Sequence, residues 1–341
     1  MTLRDDPRAD PRMIAAMEPV GLADPPAPVP VGPGSSIEDL LEFVAAAEEG
    51  FEGLFAALDA GMPAVEGVDR NVEVIDGLDG NDVTLYVHRP TGASDGLPGV
   101  LHLHGGGMVF LEAAGPGYAR WRDNLAASGL VVVGVEFRNA GGKHGPHPFP
   151  AGLDDCAAAL RWVADHKAQL GITKLIVSGE SGGGNLTLAT ALRAKRDGLI
   201  DQVDGVYAQC PYISNAWASP QPELTSLFEN DGYFLEVAMM GALAKVYDPS
   251  GDHATDPLAW PLHAGVEDLA GLPPHVISVN QLDPLRDEGL AYARKLLDAG
   301  VLVISRTVNG TCHAGDMIFA AAMPDVYQAT IRDIKGFADS V

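Results

Sequence analysis

Cysteine is scarce in this chain: Cys156, Cys210 and Cys312 are the only three in 341 residues. An odd count with no metal-ligand spacing excludes a disulfide framework and a cysteine-built metal centre. All three are expected to pack as small buried hydrophobes. Positive charge is also short. Lys and Arg number 22 against 46 Asp and Glu, a formal net charge of −24. Such a surface repels nucleic acid and anionic membranes, so neither is expected as a partner. No apolar run approaches the length needed to span a bilayer. The Asp-, Arg- and Pro-rich start, residues 1–31, lacks the apolar stretch of a signal peptide. The expectation is a soluble, cytoplasmic protein. Internal repeats are missing too. Apolar residues, in contrast, make up 47% of the chain, ample for a large core.

The periodicity changes along the chain. Pro25, Pro26, Pro28, Pro30 and Pro33 make an extended lead-in. Ser36 then reads as an N-cap with Asp39 three residues on. Ile37, Leu40, Leu41, Val44, Phe51, Leu54, Phe55 and Leu58 follow at helical spacing, with a break expected near Gly50. Val72–Val74 and Val83–Val87 alternate around a Gly77–Asn81 turn, the pattern of an antiparallel hairpin. Continuous apolar strands are predicted at Val100–Leu103, Val131–Val135, Leu175–Val177, Val206–Ala208, Val276–Val279 and Val301–Ile304. Helical faces lie between them: Leu153, Cys156, Leu160 and Val163 in one, Leu290, Ala293, Leu296 and Leu297 in another. Buried strands alternating with amphipathic helices mean a mostly parallel α/β sheet flanked by helices. From Pro211 to Pro261 no strand-like run occurs. That stretch reads as a helical insertion over the carboxyl edge of the sheet, where open α/β sheets bind ligands. The expected organisation is an N-terminal extension with cap helices (1–66), a core in two parts (67–210 and 262–341) and a helical cap insertion (211–261).

The chemistry is carried by Gly179-Glu180-Ser181-Gly182-Gly183, between the strand at Leu175–Val177 and a helical pattern from Asn185. A serine with Gly at −2 and +2 on a strand-to-helix turn reads as a nucleophile elbow, too tight for side chains at the flanking positions. With 40 glycines in the chain, the bare pattern arises by chance in roughly one such chain in five or six. Context decides. His104-Gly105-Gly106-Gly107 follows a strand, and its glycines let backbone N–H groups approach a developing oxyanion. Gly106, Gly107 and Gly182 are the candidate donors. His104 reads as a structural pin of that loop, and no Walker lysine follows to suggest a phosphate site. Asp283 follows the strand Val276–Val279, where an acid can orient a histidine. Asp287 and Glu288 suit the start of the next helix as ordinary dipole-matching charges. His313 follows both Ser181 and Asp283 and the last strand, and Ser…Asp…His is the order this arrangement requires. Trp217, Phe228, Tyr233 and Phe234 are candidates for the substrate pocket. Glu180 has either a hydrogen bond within the elbow or a bland structural role. His144 and His147 read as loop residues. No metal and no cofactor is expected.

His104–Gly107, Gly179–Gly183, Asp283–Glu288 and His313 together resemble the bacterial hormone-sensitive-lipase-like esterases of the α/β-hydrolase superfamily. His147-Pro148-Phe149-Pro150 and Asp154-Asp155-Cys156 match a further family segment. Glu229–Phe234 and Asp256–Pro261 narrow the likeness within the family. The resemblance covers roughly residues 70–341. It implies an α/β-hydrolase fold with a cap built from the N-terminus and an insertion, and ester hydrolysis without a cofactor. A homodimer is compatible with it. Two departures bear on the pocket. Phe137-Arg138-Asn139-Ala140 leads into an inserted loop where many members carry Tyr-Arg-Leu-Ala-Pro-Glu, and Gly182 stands where many have Ala. The expected activity is hydrolysis of carboxylic esters of short to medium acyl chains, lactones included, by Ser181, His313 and Asp283. The alternatives are a catalytically silent small-molecule receptor, or an amidase or lactonase using the same three residues.

Overall fold

A computed structural model describes every residue except Met1, Pro33 and Ala218. Pro33 of the lead-in therefore lies outside the described residues. Eight strands form one sheet: β1 (Val68–Asp76), β2 (Asp82–Pro90), β3 (Leu97–Leu103), β4 (Val131–Glu136), β5 (Ile172–Glu180), β6 (Gly205–Gln209), β7 (His275–Asn280) and β8 (Val303–Val308). Their spatial order is β1-β2-β4-β3-β5-β6-β7-β8. β1 pairs antiparallel with β2, and β2 antiparallel with β4. From β4 to β8 all neighbours run parallel. The carboxyl ends of β3, β5, β7 and β8 therefore lie along one edge. β4, β6 and β5 from Leu175 onward are buried on both faces, as their largely apolar runs demand.

The longer helices are α1 (Pro11–Met17), α2 (Ile37–Leu58), α3 (Pro116–Ala127), α4 (Ala151–Asp165), α5 (Gly182–Arg196), α6 (Val237–Tyr247), α7 (Arg286–Asp298) and α8 (Pro324–Ser340). Ser36 caps α2 as expected, its Oγ accepting from Asp39 N at 3.1 Å. α2 does not break at Gly50. Leu40 and Val44 are fully buried on one stripe, and that burial outweighs about 1 kcal/mol per interior glycine. Glu48 continues the stripe. It is buried, and its two carboxylate oxygens accept Leu111 N at 2.8 Å and Lys143 N at 2.9 Å.

Three expectations need correction. The last strand begins at Val303, not Val301. Gly300 and Val301 close a Schellman cap on α7, their N–H groups bonding Leu297 O and Leu296 O, each at 3.0 Å. That cap turns Val301 into the core and leaves Leu302 exposed before pairing starts. Leu297 is also exposed, and Tyr292 instead belongs to the buried face of α7. Residues 211–261 are less helical than expected. Apart from α6 and the single turn Ser226–Glu229, the stretch is mostly irregular chain held by its own hydrogen bonds. No helix among the described residues is long and apolar enough to cross a membrane.

Glu48→Ala is expected to lower stability by about 1–3 kcal/mol, because the buried Leu111 N–H and the partly buried Lys143 N–H lose their acceptor. Urea denaturation measures it, with the exposed Glu49→Ala as control; equal midpoints for the two variants would contradict the assigned role.

Candidate active site

Ser181 sits between β5 and α5 with φ 57° and ψ −119°. Side chains rarely adopt this region, and the surroundings enforce it. Ser181 N donates to Gln209 O at 3.0 Å, while Ser181 O accepts Asn185 N at 3.0 Å and Tyr212 N at 3.1 Å. The flanking glycines have no room to spare. A β carbon on Gly179 would stand 2.3 Å from Leu103 O, and one on Gly183 would stand 1.9 Å from the same oxygen. The hydroxyl is thereby presented at the carboxyl edge of the sheet, beside the positive end of α5.

The loop after β3 lies against this turn. Gly105 N donates to Glu180 Oε1 at 2.7 Å, and His102 Nε2–H donates to Glu180 Oε2 at 3.1 Å. Glu180 is thus a buried tie between the two segments rather than a solvated acid. Gly106 and Gly107 both have positive φ, 103° and 63°. A β carbon on Gly182 would fall 2.6 Å from Gly107 N, so the start of α5 and the Gly106–Gly107 backbone touch. His104 is the expected pin. Its Nδ1–H donates to Gly105 O at 2.8 Å, and its ring stacks on Phe137 at 4.1 Å. Burial pushes its pKa down to about 3, so the ring is neutral. The inserted loop after Phe137 backs this region: Ala140 N bonds Met108 O at 3.0 Å, Gly141 N bonds Val109 O at 2.8 Å and Asn139 Nδ2 bonds Leu111 O at 2.6 Å.

Asp283 and His313 meet from different loops. His313 Nδ1–H donates to Asp283 Oδ2 at 2.8 Å, while Asp283 Oδ1 accepts Leu285 N at 2.9 Å. Asp283 is fully buried. Asn280, at the end of β7, fixes the histidine loop. Its Nδ2 donates to Thr311 Oγ1 at 2.7 Å and Asp316 Oδ1 at 2.9 Å, and its Oδ1 accepts Ala314 N at 3.2 Å. Cys312 packs under the loop against α1, its N–H on Met13 Sδ at 3.3 Å. Glu288 departs from the expected role of a helix-start charge. It is buried, accepts Ile213 N at 2.6 Å and meets the Ser214 hydroxyl, and burial pushes its pKa up to about 8. Among the described residues, Cys210, Asp283 and His313 bring potential metal-ligand atoms within 4.8 Å of one another. Burial holds the Cys210 thiol protonated, and Asp283 and His313 already bond to each other.

Ser181, His313, Gly105, Gly106, Gly107 and Glu180 line one cavity of about 50 Å³. Its apolar walls include Phe51 and Phe55 from α2, Tyr118 from α3 and Met239 from α6. Of the four aromatic candidates only Phe234 lines it. Trp217 is buried in the core, edge-on to Tyr212 at 5.2 Å. Phe228 is 58% exposed, on the outer side of its single helical turn. Tyr233, next to Phe234, faces the N-terminal segment instead. It packs among Leu3, Met13 and Met17, its hydroxyl donating to Asp6 Oδ2 at 3.2 Å. Phe51 and Phe55 carried a signal that pattern reading assigned to packing: they extend the Leu40–Val44 stripe of α2 beyond the core.

The sheet, the strand-to-helix turn at Ser181 and the acid and histidine at later strand ends define an α/β hydrolase. A family model described as alpha/beta hydrolase fold matches residues 100–316. The chain is similar to carboxylesterase NlhH of Mycobacterium tuberculosis, 34% identical over 267 residues, covering 76% of this chain and 79% of that one. It is similar to an arylesterase of Saccharolobus solfataricus, 31% identical over 245 residues, covering 70% and 74%. Among solved structures, brefeldin A esterase, a bacterial homologue of human hormone-sensitive lipase, superposes with a TM-score of 0.96 at 46% identity. That likeness covers 99% of this chain and 95% of the other. The chain belongs to the bacterial hormone-sensitive-lipase-like esterases of the α/β-hydrolase fold.

The buried Glu288 carboxyl makes stability depend on pH. Its folded pKa, about 8, lies above the ordinary 4.5, so its contribution is fully present below about pH 4.5 and is lost as pH rises through 8. Melting temperatures across pH 5–9 should fall more for wild type than for Glu288→Gln; parallel curves would refute the assignment.

Proposed function

We propose that this carboxylic ester hydrolase works through a serine mechanism with an acyl-enzyme intermediate. The observation that carries the reading is the 2.8 Å bond from His313 Nδ1–H to Asp283, in the cavity that holds Ser181. With Nδ1 protonated and bonded, Nε2 carries the free lone pair. In this reading that nitrogen takes the Ser181 hydroxyl proton as Oγ attacks the ester carbonyl. The carbonyl oxygen becomes an oxyanion facing the N–H groups of Gly106, Gly107 and Gly182. His313 then returns the proton to the departing alcohol, leaving the acyl group on Ser181. Water attacks next, its proton passing to Nε2, and the carboxylic acid leaves as Ser181 recovers its hydrogen. Asp283 holds the tautomer and stabilises the transient imidazolium. A lactone follows the same steps, its alcohol remaining tethered to the acid. The cavity of about 50 Å³ supports a small acyl group, since one water alone needs about 10–15 Å³.

Ser181→Ala should lower kcat for p-nitrophenyl butyrate at least about a thousand-fold and abolish fluorophosphonate labelling. Asp283→Asn should lower kcat by about ten-thousand-fold while leaving the melting temperature near wild type. Normal turnover by the serine variant would end this mechanism.

A further inference from the structure

The cavity beside Ser181, about 50 Å³, is far smaller than the roughly 300–1,000 Å³ typical of small-molecule sites. A groove of about 610 Å³ adjoins it. This groove runs between the Pro-rich strap, Ala27–Pro30, and α2, and Val29, Phe43 and Leu54 lie along it. Phe51 and Met239 border both spaces and separate them. The α2 side is kept low by Ala47, Gly50, Gly53 and Ala57. At Gly50 and Gly53 a β carbon would meet nothing within 4 Å. Among the described residues, Glu236 is the one charged side chain along the groove, so an anionic or strongly polar group gains little there.

The two partition residues are unlike. Phe51 is held on a helix within a ring cluster, 5.6 Å from Phe110 and 6.1 Å from Phe234. Met239 is unbranched, with three rotatable bonds and a soft thioether, the side chain best able to change shape without moving backbone.

We propose that Met239, against Phe51, is a movable partition, and that the groove behind it receives the long straight apolar chain of an ester whose carbonyl sits at Ser181. The inference rests on the serine-esterase reading above. It makes chain-length selectivity a property of the N-terminal strap and α2 rather than of the catalytic loops. Binding is apolar, so affinity for the chain grows with each buried methylene.

The test compares kcat/KM for p-nitrophenyl acetate, p-nitrophenyl decanoate and decyl acetate. Enzymes are wild type, Ala47→Trp and Gly53→Trp, which fill the groove, and Met239→Ala, which removes the partition. The readout is the ratio of a long ester to acetate within each enzyme, so a partly unfolded preparation does not alter it. Filling the groove should lower the ratio by at least about ten-fold, and Met239→Ala should raise it. A drop for p-nitrophenyl decanoate assigns the acyl chain to the groove; a drop for decyl acetate assigns the alcohol chain. Ratios unchanged within about two-fold in both filled variants overturn the proposal. So does a changed sedimentation mass without a changed ratio, which would make the groove a contact between two copies. Failure of the serine reading is separately visible, as acetate turnover that survives Ser181→Ala.

Discussion

One steric constraint underlies the site: the start of α5 lies on the end of β3 with no space for a single β carbon. Leu103 O faces Gly179 and Gly183 at distances that only hydrogen permits. Because the segments are that close, Glu180 can reach Gly105, and Gly182 comes to rest on the Gly107 backbone. The strained Ser181 dihedral is the local cost of this approach. It is sustained by backbone bonds to Gln209 at the end of β6, Asn185 in α5 and Tyr212 in the chain after β6. Relax the glycines, and the serine, the tie and the Gly105–Gly107 loop all lose their positions together.

Buried acids hold the loops that converge on this point. Glu180 accepts from Gly105 and His102, Glu48 from Leu111 and Lys143, and Glu288 from Ile213 and Ser214. The half-buried Glu136 adds a fourth, accepting Ala113 N at 2.8 Å and Ala114 N at 3.0 Å. Each carboxyl group satisfies two donors, most of them backbone N–H groups in irregular chain, and so lets that chain pack against the core. The excess of acid, which by composition reads as surface charge, is therefore in part an internal framework.

The sheet, the elbow and the Asp283–His313 pair were legible because each depends on local signals: apolar runs, glycines at fixed offsets and chain order. The pocket was not. Phe51 and Phe55 obey the same helical period as core residues Leu40 and Val44, and nothing local marks where the core ends and the cavity begins. Tyr233 and Phe234 are adjacent, yet one is buried against the N-terminal segment and the other lines the cavity, a difference no residue type signals. Glu288 sits where a helix-start acid belongs, and only tertiary contact with residues 213–214 buries it. The misplaced start of β8 has the same origin, since Val301 is apolar for the sake of a helix cap rather than a ladder.

Two of the aromatic walls around Ser181 come from α2, outside the stretch that the family model matches. The cavity beside Ser181 is thus walled by two parts of the chain, α2 and the stretch that also holds Ser181, Asp283 and His313. An exchange of the leading sixty or so residues would change two of these walls and, through Glu48 and Met13, the supports of the backbone at Leu111 and Cys312 as well. For the same reason, a fusion partner or a shortened start is a change to the active site itself, although it falls more than a hundred residues from the serine.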